Sequence, residues 1–151
     1  MHGEVHDKNP LYAQLIFTDA SDEEDGRLYA HELYSLPLNA DLAVLSACNT
    51  GAGELKRGEG IMSIARAFKY AGCPNVVMSL WPADDKSSKD LIVRFFSNVK
   101  KEKGKSEALE LGRRAYINDK AVPDEKKHPF YWSSFVLIGD DTPLNVRFQL
   151  R

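Results

Sequence analysis

The sequence has little cysteine, no long apolar run and no excess of charge of one sign. Its two cysteines, Cys48 and Cys73, are too few for the disulfide framework of a small secreted domain. Apolar stretches such as Phe135–Ile138 are far shorter than the roughly 20 residues that span a bilayer. The 20 basic and 22 acidic side chains give a net charge of −2, which provides no general attraction for nucleic acid or an anionic membrane.

The first ten residues, MHGEVHDKNP, lack the basic and then apolar pattern of a signal peptide. We therefore expect a cytoplasmic, reduced protein that binds neither nucleic acid nor membrane. Its 151 residues are 43% apolar, which is typical of a single globular domain with a sizeable core. No cysteine or histidine spacing is typical of a zinc site, and no phosphate-binding loop is complete, so the sequence predicts no metal and no cofactor.

The apolar segments predict an α/β fold. Leu11–Thr18 and Arg27–Tyr29 are expected to form a hairpin around the acidic run Asp19–Gly26, which is typical of a solvated loop. Further strands are predicted at Asp41–Ala47, Asn75–Leu80 and Phe135–Ile138, and helices at Ala30–Leu36, Ile61–Tyr70, Ser87–Lys101 and Ser106–Asn118. This alternation indicates a mostly parallel sheet flanked by helices, with all strand carboxyl ends at one edge.

Cys48 follows a predicted core strand and precedes a glycine-rich loop. A thiolate in that position is accessible to substrate and is a strong nucleophile. Free cysteine is also among the most buried residue types, so position alone leaves the role of a small core residue open. Cys73, between a helix and a strand, is interpreted as structural.

A catalytic cysteine needs a base, and the chain has four histidines, which are His2, His6, His31 and His128. His2 lies 46 positions before Cys48, close to the separation of about 50 residues seen in caspases. Taken singly, each histidine is more typical of a surface or structural residue than of a catalytic base. Spacing therefore nominates His2 without excluding His6.

Several short motifs follow one another along the chain. They are Leu45-Ser46-Ala47-Cys48-Asn49-Thr50-Gly51, His2-Gly3 with Asn9-Pro10-Leu11, Gly58-Glu59-Gly60, Ser79-Leu80-Trp81-Pro82 with Asp84-Asp85, His128-Pro129-Phe130-Tyr131-Trp132, and Phe135-Val136-Leu137-Ile138-Gly139-Asp140. Together they resemble the motifs of the CHAT domain family, caspase-like domains found beside tetratricopeptide repeats, and the resemblance covers nearly the whole chain. It favours Cys48 as a nucleophile over Cys48 as a core residue.

The resemblance implies a caspase-like fold and a cysteine endopeptidase that acts on protein or peptide substrates. In that mechanism His2 is the general base for Cys48, and the backbone N–H groups of Gly3 and Cys48 stabilise the oxyanion. No metal is required. A rival interpretation is a catalytically inactive interaction module that retains the fold and the motif residues.

Trp81, Asp84 and Asp85 follow the predicted strand Asn75–Leu80, at the sheet edge expected for Cys48. We assign these three residues to substrate binding, and the two carboxylates to an Arg or Lys side chain before the scissile bond. The alternative for Asp84 or Asp85 is a cap on the next helix.

A complete caspase-like domain has further strands before its histidine. We therefore interpret residues 1–151 as the C-terminal part of such a domain, regulated by a tetratricopeptide-repeat region of a longer protein. The strand Asp41–Ala47 would then have an uncovered edge. We expect the isolated chain to be a poor peptidase and to dimerise, exchange strands or cover that edge with the Leu11–Thr18 hairpin.

Overall fold

A computed structural model describes residues 2–4, 9–17, 26–45, 57–81 and 84–144. The strands are β1 (His2–Glu4), β2 (Gln14–Ile16), β3 (Arg27–Tyr29), β4 (Ala43–Leu45), β5 (Val76–Ser79) and β6 (Phe135–Ile138). The α-helices are α1 (Ala30–Leu33), α2 (Arg57–Tyr70), α3 (Asp85–Val99), α4 (Lys105–Asn118) and α5 (Pro129–Trp132), with 3-10 turns at Pro10–Tyr12 and Asp124–Lys127.

The hydrophobic core is built on a three-stranded sheet of order β4-β5-β6. All four residues of β5 are buried, as expected for a strand with both faces covered. The predicted α/β class is confirmed, and the sheet is mixed. Strand β4 is parallel to β5, whereas β6 is antiparallel to it, with Phe135 opposite Ser79.

The prediction that every strand ends at the same edge is therefore wrong for β6. The chain crosses between β5 and β6 through two helices rather than one. The end of α3 contacts the start of α4 through the Asn98 side chain and the Ala108 carbonyl, 3.3 Å apart. At the other end the Tyr116 hydroxyl lies 2.9 Å from Ser87 Oγ. Helices α3 and α4 therefore run antiparallel. Helix α3 leads the chain away from the sheet edge where β5 ends, and α4 leads it back, so β6 starts at that edge.

Two hydrophobic clusters lie on opposite faces of the sheet. On one face Val76 and Met78 pack with Ile64 of α2 and with the hairpin residue Leu15. On the other face Val77 packs with α3 and α4, through buried residues that include Phe95 and Leu109. The alternation of side chains along β5 thus joins two helical layers.

The N-terminal hairpin is confirmed, because β2 pairs antiparallel with β3. The predicted strand Leu11–Thr18 is shorter, since a 3-10 turn takes its beginning. Asn9 nucleates that turn: its side chain accepts a hydrogen bond from Leu11 N at 3.1 Å, and its carbonyl accepts one from Tyr12 N at 3.1 Å. Thr18 and the acidic run Asp19–Asp25 lie outside the described residues.

Strands β1, β2 and β3 form a second, separate sheet among the described residues. The hairpin packs on the face of the β4-β5-β6 sheet through Leu15, and there it does not pair with the edge of β4. Covering of that edge by the hairpin is therefore not observed in the described part of the chain. Dimerisation and strand exchange stay predictions.

The predicted helices are confirmed with shifted ends. Helix α1 stops at Leu33, before the predicted Leu36, because its last turn tightens: Ser35 N donates to Glu32 O at 2.9 Å and Leu36 N to Leu33 O at 3.1 Å. None of the helices within the described ranges is long and apolar enough to cross a membrane.

A buried lysine fixes the segment after β6 to the start of α4. The Lys105 side chain is 1% exposed, and its Nζ contacts Asp140 Oδ1 at 3.0 Å and the Thr142 carbonyl at 2.5 Å. Hydrogen bonds from Thr142 and Lys105 hold the pKa of Asp140 well below its ordinary value. A buried ammonium is tolerated only with such partners. The contact therefore holds the segment after β6 against the start of α4.

We predict that Lys105→Met lowers the free energy of unfolding by about 2 kcal/mol, because Met keeps the apolar stem and loses the charged hydrogen bonds. Urea denaturation measures this. The matched control is Lys103→Met, which removes a surface pair with Glu107 at 2.8 Å and should cost less than about 0.5 kcal/mol. Equal stability of the two variants would contradict the role given to Lys105.

Candidate active site

The predicted nucleophile, Cys48, lies outside the described residues. The last described residue before it is Leu45, which ends β4 opposite Met78 of β5. Strands β4 and β5 are parallel, so the chain enters the segment with Cys48 at the edge where β5 leads to Trp81. The sequence predicted that the Cys48 and Trp81 segments follow strands that end at the same sheet edge. Strands β4 and β5, which precede these segments, do end at one edge.

His2 and Gly3 belong to β1, opposite Ile16 and Leu15 of β2. Leu15 is 1% exposed and belongs to the same hydrophobic cluster as Leu45. The strand that carries His2 therefore pairs with a strand that contributes to the same core cluster as the end of β4. The side chain of His2, and with it the distance to Cys48, falls outside what the structure describes.

The other described histidines have local partners. His31 Nδ1 lies 3.2 Å from the carbonyl of Leu11, and its ring contacts those of Tyr12 and Tyr29, with centroid distances of 5.6 and 5.3 Å. His128 caps α5, since its Nδ1 accepts a hydrogen bond from Phe130 N at 3.3 Å. His6, the alternative base, lies outside the described residues.

Cys73 is confirmed as a buried structural residue. Its side chain is fully buried, and the thiol donates to the carbonyl of Asn75 at 3.2 Å. Burial raises the pKa of the Cys73 thiol. A protonated, inaccessible thiol is a poor nucleophile, so Cys73 provides no competing catalytic group.

Trp81 joins two of the sequence motifs. Its indole Nε1 donates to the carbonyl of Phe130 at 2.9 Å, and the two rings stack with centroids 6.4 Å apart. From the β5 side, Ser79 Oγ donates to the carbonyl of Trp81 at 2.6 Å. The segment 79–81 is thereby held against α5, a contact that sequence reasoning missed although both motifs were recognised.

Asp84 caps α3, as the alternative interpretation of this residue predicted. Its Oδ2 accepts hydrogen bonds from Ser87 N at 3.0 Å and Ser87 Oγ at 2.9 Å, while Oδ1 accepts from Lys126 Nζ at 2.9 Å. The hydrogen bonds from Lys126 and Ser87 lower the pKa of Asp84 to about 2. Asp85 lies in the first turn of α3 and is exposed.

Lys126 was not singled out from the sequence. Besides pairing with Asp84, its ammonium lies 4.3 Å from the centroid of the Tyr131 ring. The hydrogen bond to Asp84 raises the pKa of Lys126. The charged run DEKK immediately before His128-Pro129 was the one sequence signal that could have pointed to Lys126. That run does not indicate the partner of Lys126, because Asp84 lies 42 positions away in the sequence. Asp84 therefore already binds a lysine ammonium, which a basic substrate side chain would have to displace.

A cavity of about 280 Å³ opens beside Asp84, between the start of α3, the end of α4 and the loop after it. Val122, Pro123 and Tyr116 contribute to its lining. The remaining lining residues are Lys86, Ser87, Asp90, Asp119, Ala121 and Lys126. Within the described ranges no group of three or more His, Cys, Asp or Glu side chains is placed to hold a metal ion.

Comparison with known proteins identifies the chain at the level of the family. Residues 1–140 match the family described as the CHAT domain. Tetratricopeptide repeat protein 28 of Mus musculus and that of Homo sapiens are each 32% identical to it over 118 residues. These matches cover 78% of this chain but 5% of each relative, so the relatives are far longer proteins.

The Asp84 cap predicts a pH-dependent contribution to stability. Near neutral pH, Asp84→Ala should lower the free energy of unfolding by about 1 kcal/mol, because Ser87 N loses its acceptor. The pKa of Asp84 is about 2 in the folded chain and about 3.9 in an unfolded one. The contribution is thus complete above about pH 4 and is lost as the pH falls to about 2.

Urea denaturation of wild type and variant between these pH values measures the effect, and the two curves should converge at the acid end. Asp85→Asn is the matched control and should change stability by less than about 0.5 kcal/mol. A gap that persists unchanged at the lowest pH would be incompatible with a charged Asp84 as its source.

Proposed function

Because this chain belongs to the CHAT domain family, a family of caspase-like peptidases, we propose that it is a cysteine endopeptidase with Cys48 as nucleophile and His2 as general base. One observation carries the proposal. The parallel register of β4 and β5, with Leu45 beside Met78, brings the strand leading to Cys48 and the strand leading to Trp81 to one sheet edge. Ligands of open α/β sheets bind at such edges.

The proposed chemistry uses a single nucleophile and a single base. His2 takes the proton of the Cys48 thiol, and the sulfur attacks a peptide carbonyl. The tetrahedral oxyanion is stabilised by the N–H groups of Gly3 and Cys48, each commonly worth about 3 kcal/mol. The amine leaves with the proton from His2, and water then hydrolyses the thioester, returning the proton to the dyad.

We place this activity in a longer protein. Both relatives are named for tetratricopeptide repeats, and the matched region is 5% of their length. A repeat region in the full-length protein would be a natural regulator of the peptidase. We propose a cytoplasmic location and a protein or peptide substrate on the strength of the sequence.

The first functional prediction is that Cys48→Ala and His2→Ala, in the full-length protein, each abolish peptide cleavage, because nucleophile and base act as a unit. Cys73→Ala should retain cleavage. Initial rates on a mixed peptide library provide the measurement. Full activity of Cys48→Ala would end the hypothesis, and a dead His6→Ala with an active His2→Ala would transfer the role of base to His6.

An inactive interaction module is the rival, and alkylation by a peptide-based electrophile separates it from a peptidase. Cys73 serves as an internal reference, since its buried thiol with a raised pKa reacts slowly. An organised dyad makes Cys48 react much faster than Cys73. Equal, slow labelling of both thiols would favour the inactive module.

The second functional prediction is a preference for Arg or Lys before the scissile bond. The substrate's charged group would displace Lys126 from Asp84, where the ammonium now lies at 2.9 Å, and its aliphatic stem would occupy the adjacent cavity of about 280 Å³ beside Val122 and Pro123. Asp85 and the Trp81 ring would complete the subsite. Profiling with a positional peptide library measures the preference.

Asp84→Asn is the informative variant, because asparagine caps helices as well as aspartate does but carries no charge. It should lower kcat/KM for basic substrates while α3 stays intact, and Asp85→Asn provides the second charge change. A dominant preference for Asp, or unchanged cleavage by both variants, would refute this subsite and leave the catalytic assignment standing.

A further inference from the structure

The ion pair between Asp84 and Lys126 lies at the cavity that we assign to a basic substrate side chain. Lys126 Nζ is 2.9 Å from Asp84 Oδ1, and the lysine and aspartate side chains are 28% and 30% exposed. Both residues line the cavity of about 280 Å³. The chain therefore places at the carboxylate of this subsite the same ammonium group that a lysine substrate would bring to it.

The two carboxylate oxygens of Asp84 have separate partners. Oδ2 accepts hydrogen bonds from the backbone N–H and the hydroxyl of Ser87, and these bonds cap α3. Oδ1 accepts the hydrogen bond from Lys126. A ligand cation can therefore replace Lys126 on Oδ1 while Oδ2 continues to cap the helix. Exchange at Asp84 does not require α3 to unwind.

The other two carboxylates of the cavity lining are held more firmly. Arg94 binds Asp90 through two hydrogen bonds, at 2.8 and 3.1 Å, and Asp119 through a third at 2.5 Å. A planar guanidinium that holds two carboxylates is harder to displace than one flexible ammonium. Asp84 is therefore the lining carboxylate at which a ligand cation competes with a single lysine side chain.

The backbone around Lys126 is fixed independently of its ammonium group. Lys126 N donates to the carbonyl of Pro123 at 2.9 Å. The next carbonyl along the chain, that of Lys127, accepts a hydrogen bond from Trp132 Nε1 at 2.9 Å. The Lys126 side chain has a flexible stem of four carbons, so it can leave Asp84 by rotating about its own bonds while the backbone that carries it stays in place.

The Tyr131 ring provides a second partner for the ammonium of Lys126. Its centroid lies 4.3 Å from Lys126 Nζ, which is within the range of a cation–π contact. The ring also contacts that of Phe130 in α5, with centroids 5.4 Å apart. An ammonium that leaves Asp84 can therefore keep a partner at Tyr131, and this lowers the cost of the exchange.

We propose that Lys126 is an internal competitor for the basic subsite. A ligand with a guanidinium or ammonium group on an aliphatic stem binds Asp84 Oδ1 in exchange for Lys126, which moves onto the Tyr131 ring. The inference rests on the subsite of the proposed function and adds the residue that sets its affinity. Because Lys126 holds Oδ1, a ligand binds only the fraction of chains in which the lysine has left, and its apparent affinity falls by that fraction.

Two small probes test the proposal on the 151-residue chain: the amide of acetylated arginine, and the amide of acetylated citrulline, its uncharged isostere. Heteronuclear NMR titration follows the backbone amides of Ser87 and Val122, which line the cavity. The arginine probe should bind more tightly than the citrulline probe, and Asp84→Asn should remove that difference. Lys126→Met should bind the arginine probe about fivefold more tightly than the wild type, the factor typical of a partly exposed ion pair.

Lys127→Met is the matched control. It removes the neighbouring lysine charge from a surface pair with Asp124 at 2.8 Å, outside the cavity lining, and should bind the probes as the wild type does. Lys126→Arg keeps a competing cation and should bind the arginine probe no more tightly than the wild type. Thermal unfolding checks that each variant is folded, and Lys126→Gln serves as a second uncharged variant in place of Lys126→Met.

Three results of the titration would overturn the proposal. They are equal binding of the two probes, binding by the uncharged Lys126 variants that is no tighter than that of the wild type, and no binding of the arginine probe by those variants.

The titration needs no catalysis, so it separates this inference from the peptidase proposal. In the full-length protein, Lys126→Met should lower KM for peptides with Arg before the scissile bond. Tighter probe binding by Lys126→Met without cleavage of any peptide would leave Lys126 as a competitor and end the peptidase proposal. Cleavage after Arg with a KM that Lys126→Met does not change would end the competitor and leave the peptidase.

Discussion

The strand β5 is buried along its whole length, and the neighbouring elements are arranged to cover it. Successive side chains point to opposite faces, so Val76 and Met78 require one layer and Val77 another. The first layer is α2 with the hairpin, and the second is the α3 and α4 pair. Leu15 of the hairpin and Leu45 at the end of β4 both belong to the cluster on the α2 side of this strand.

Beyond the end of β5, polar contacts replace the hydrophobic core. Trp81 is held by the Phe130 carbonyl, and Asp84 by Lys126, so two positions between β5 and α3 are held by residues before and within α5. Lys126 also lies over the Tyr131 ring. The connection between α4 and β6 thus contacts two of the three residues that we assign to substrate binding, Trp81 and Asp84.

The sequence predicted those features that depend on local pattern. The run Asn75–Leu80 was recognised as a buried strand because its apolar residues are continuous, and α3 and α4 because theirs recur at helical spacing. The direction of β6 was missed because it depends on how many helices cross the sheet, which no single segment encodes. Lys126 was missed for the same reason, since its partner lies 42 positions away. The Cys48 and His2 assignment came from motifs, and it stays a prediction because the structure describes neither side chain.

The N-terminus of α3 carries charges of both signs. Asp84 places a negative charge where the helix dipole favours one, whereas Lys86 and Lys89 place positive charges there. The contacts then run from Asp84 through Lys126 to α5 and Trp81. A path of contacts conveys a signal only if its elements have two arrangements, and α3 is fixed in one by Leu91, Phe95 and Val99 in the core. Regulation of the proposed peptidase would therefore have to act on the segments at the edge of the sheet.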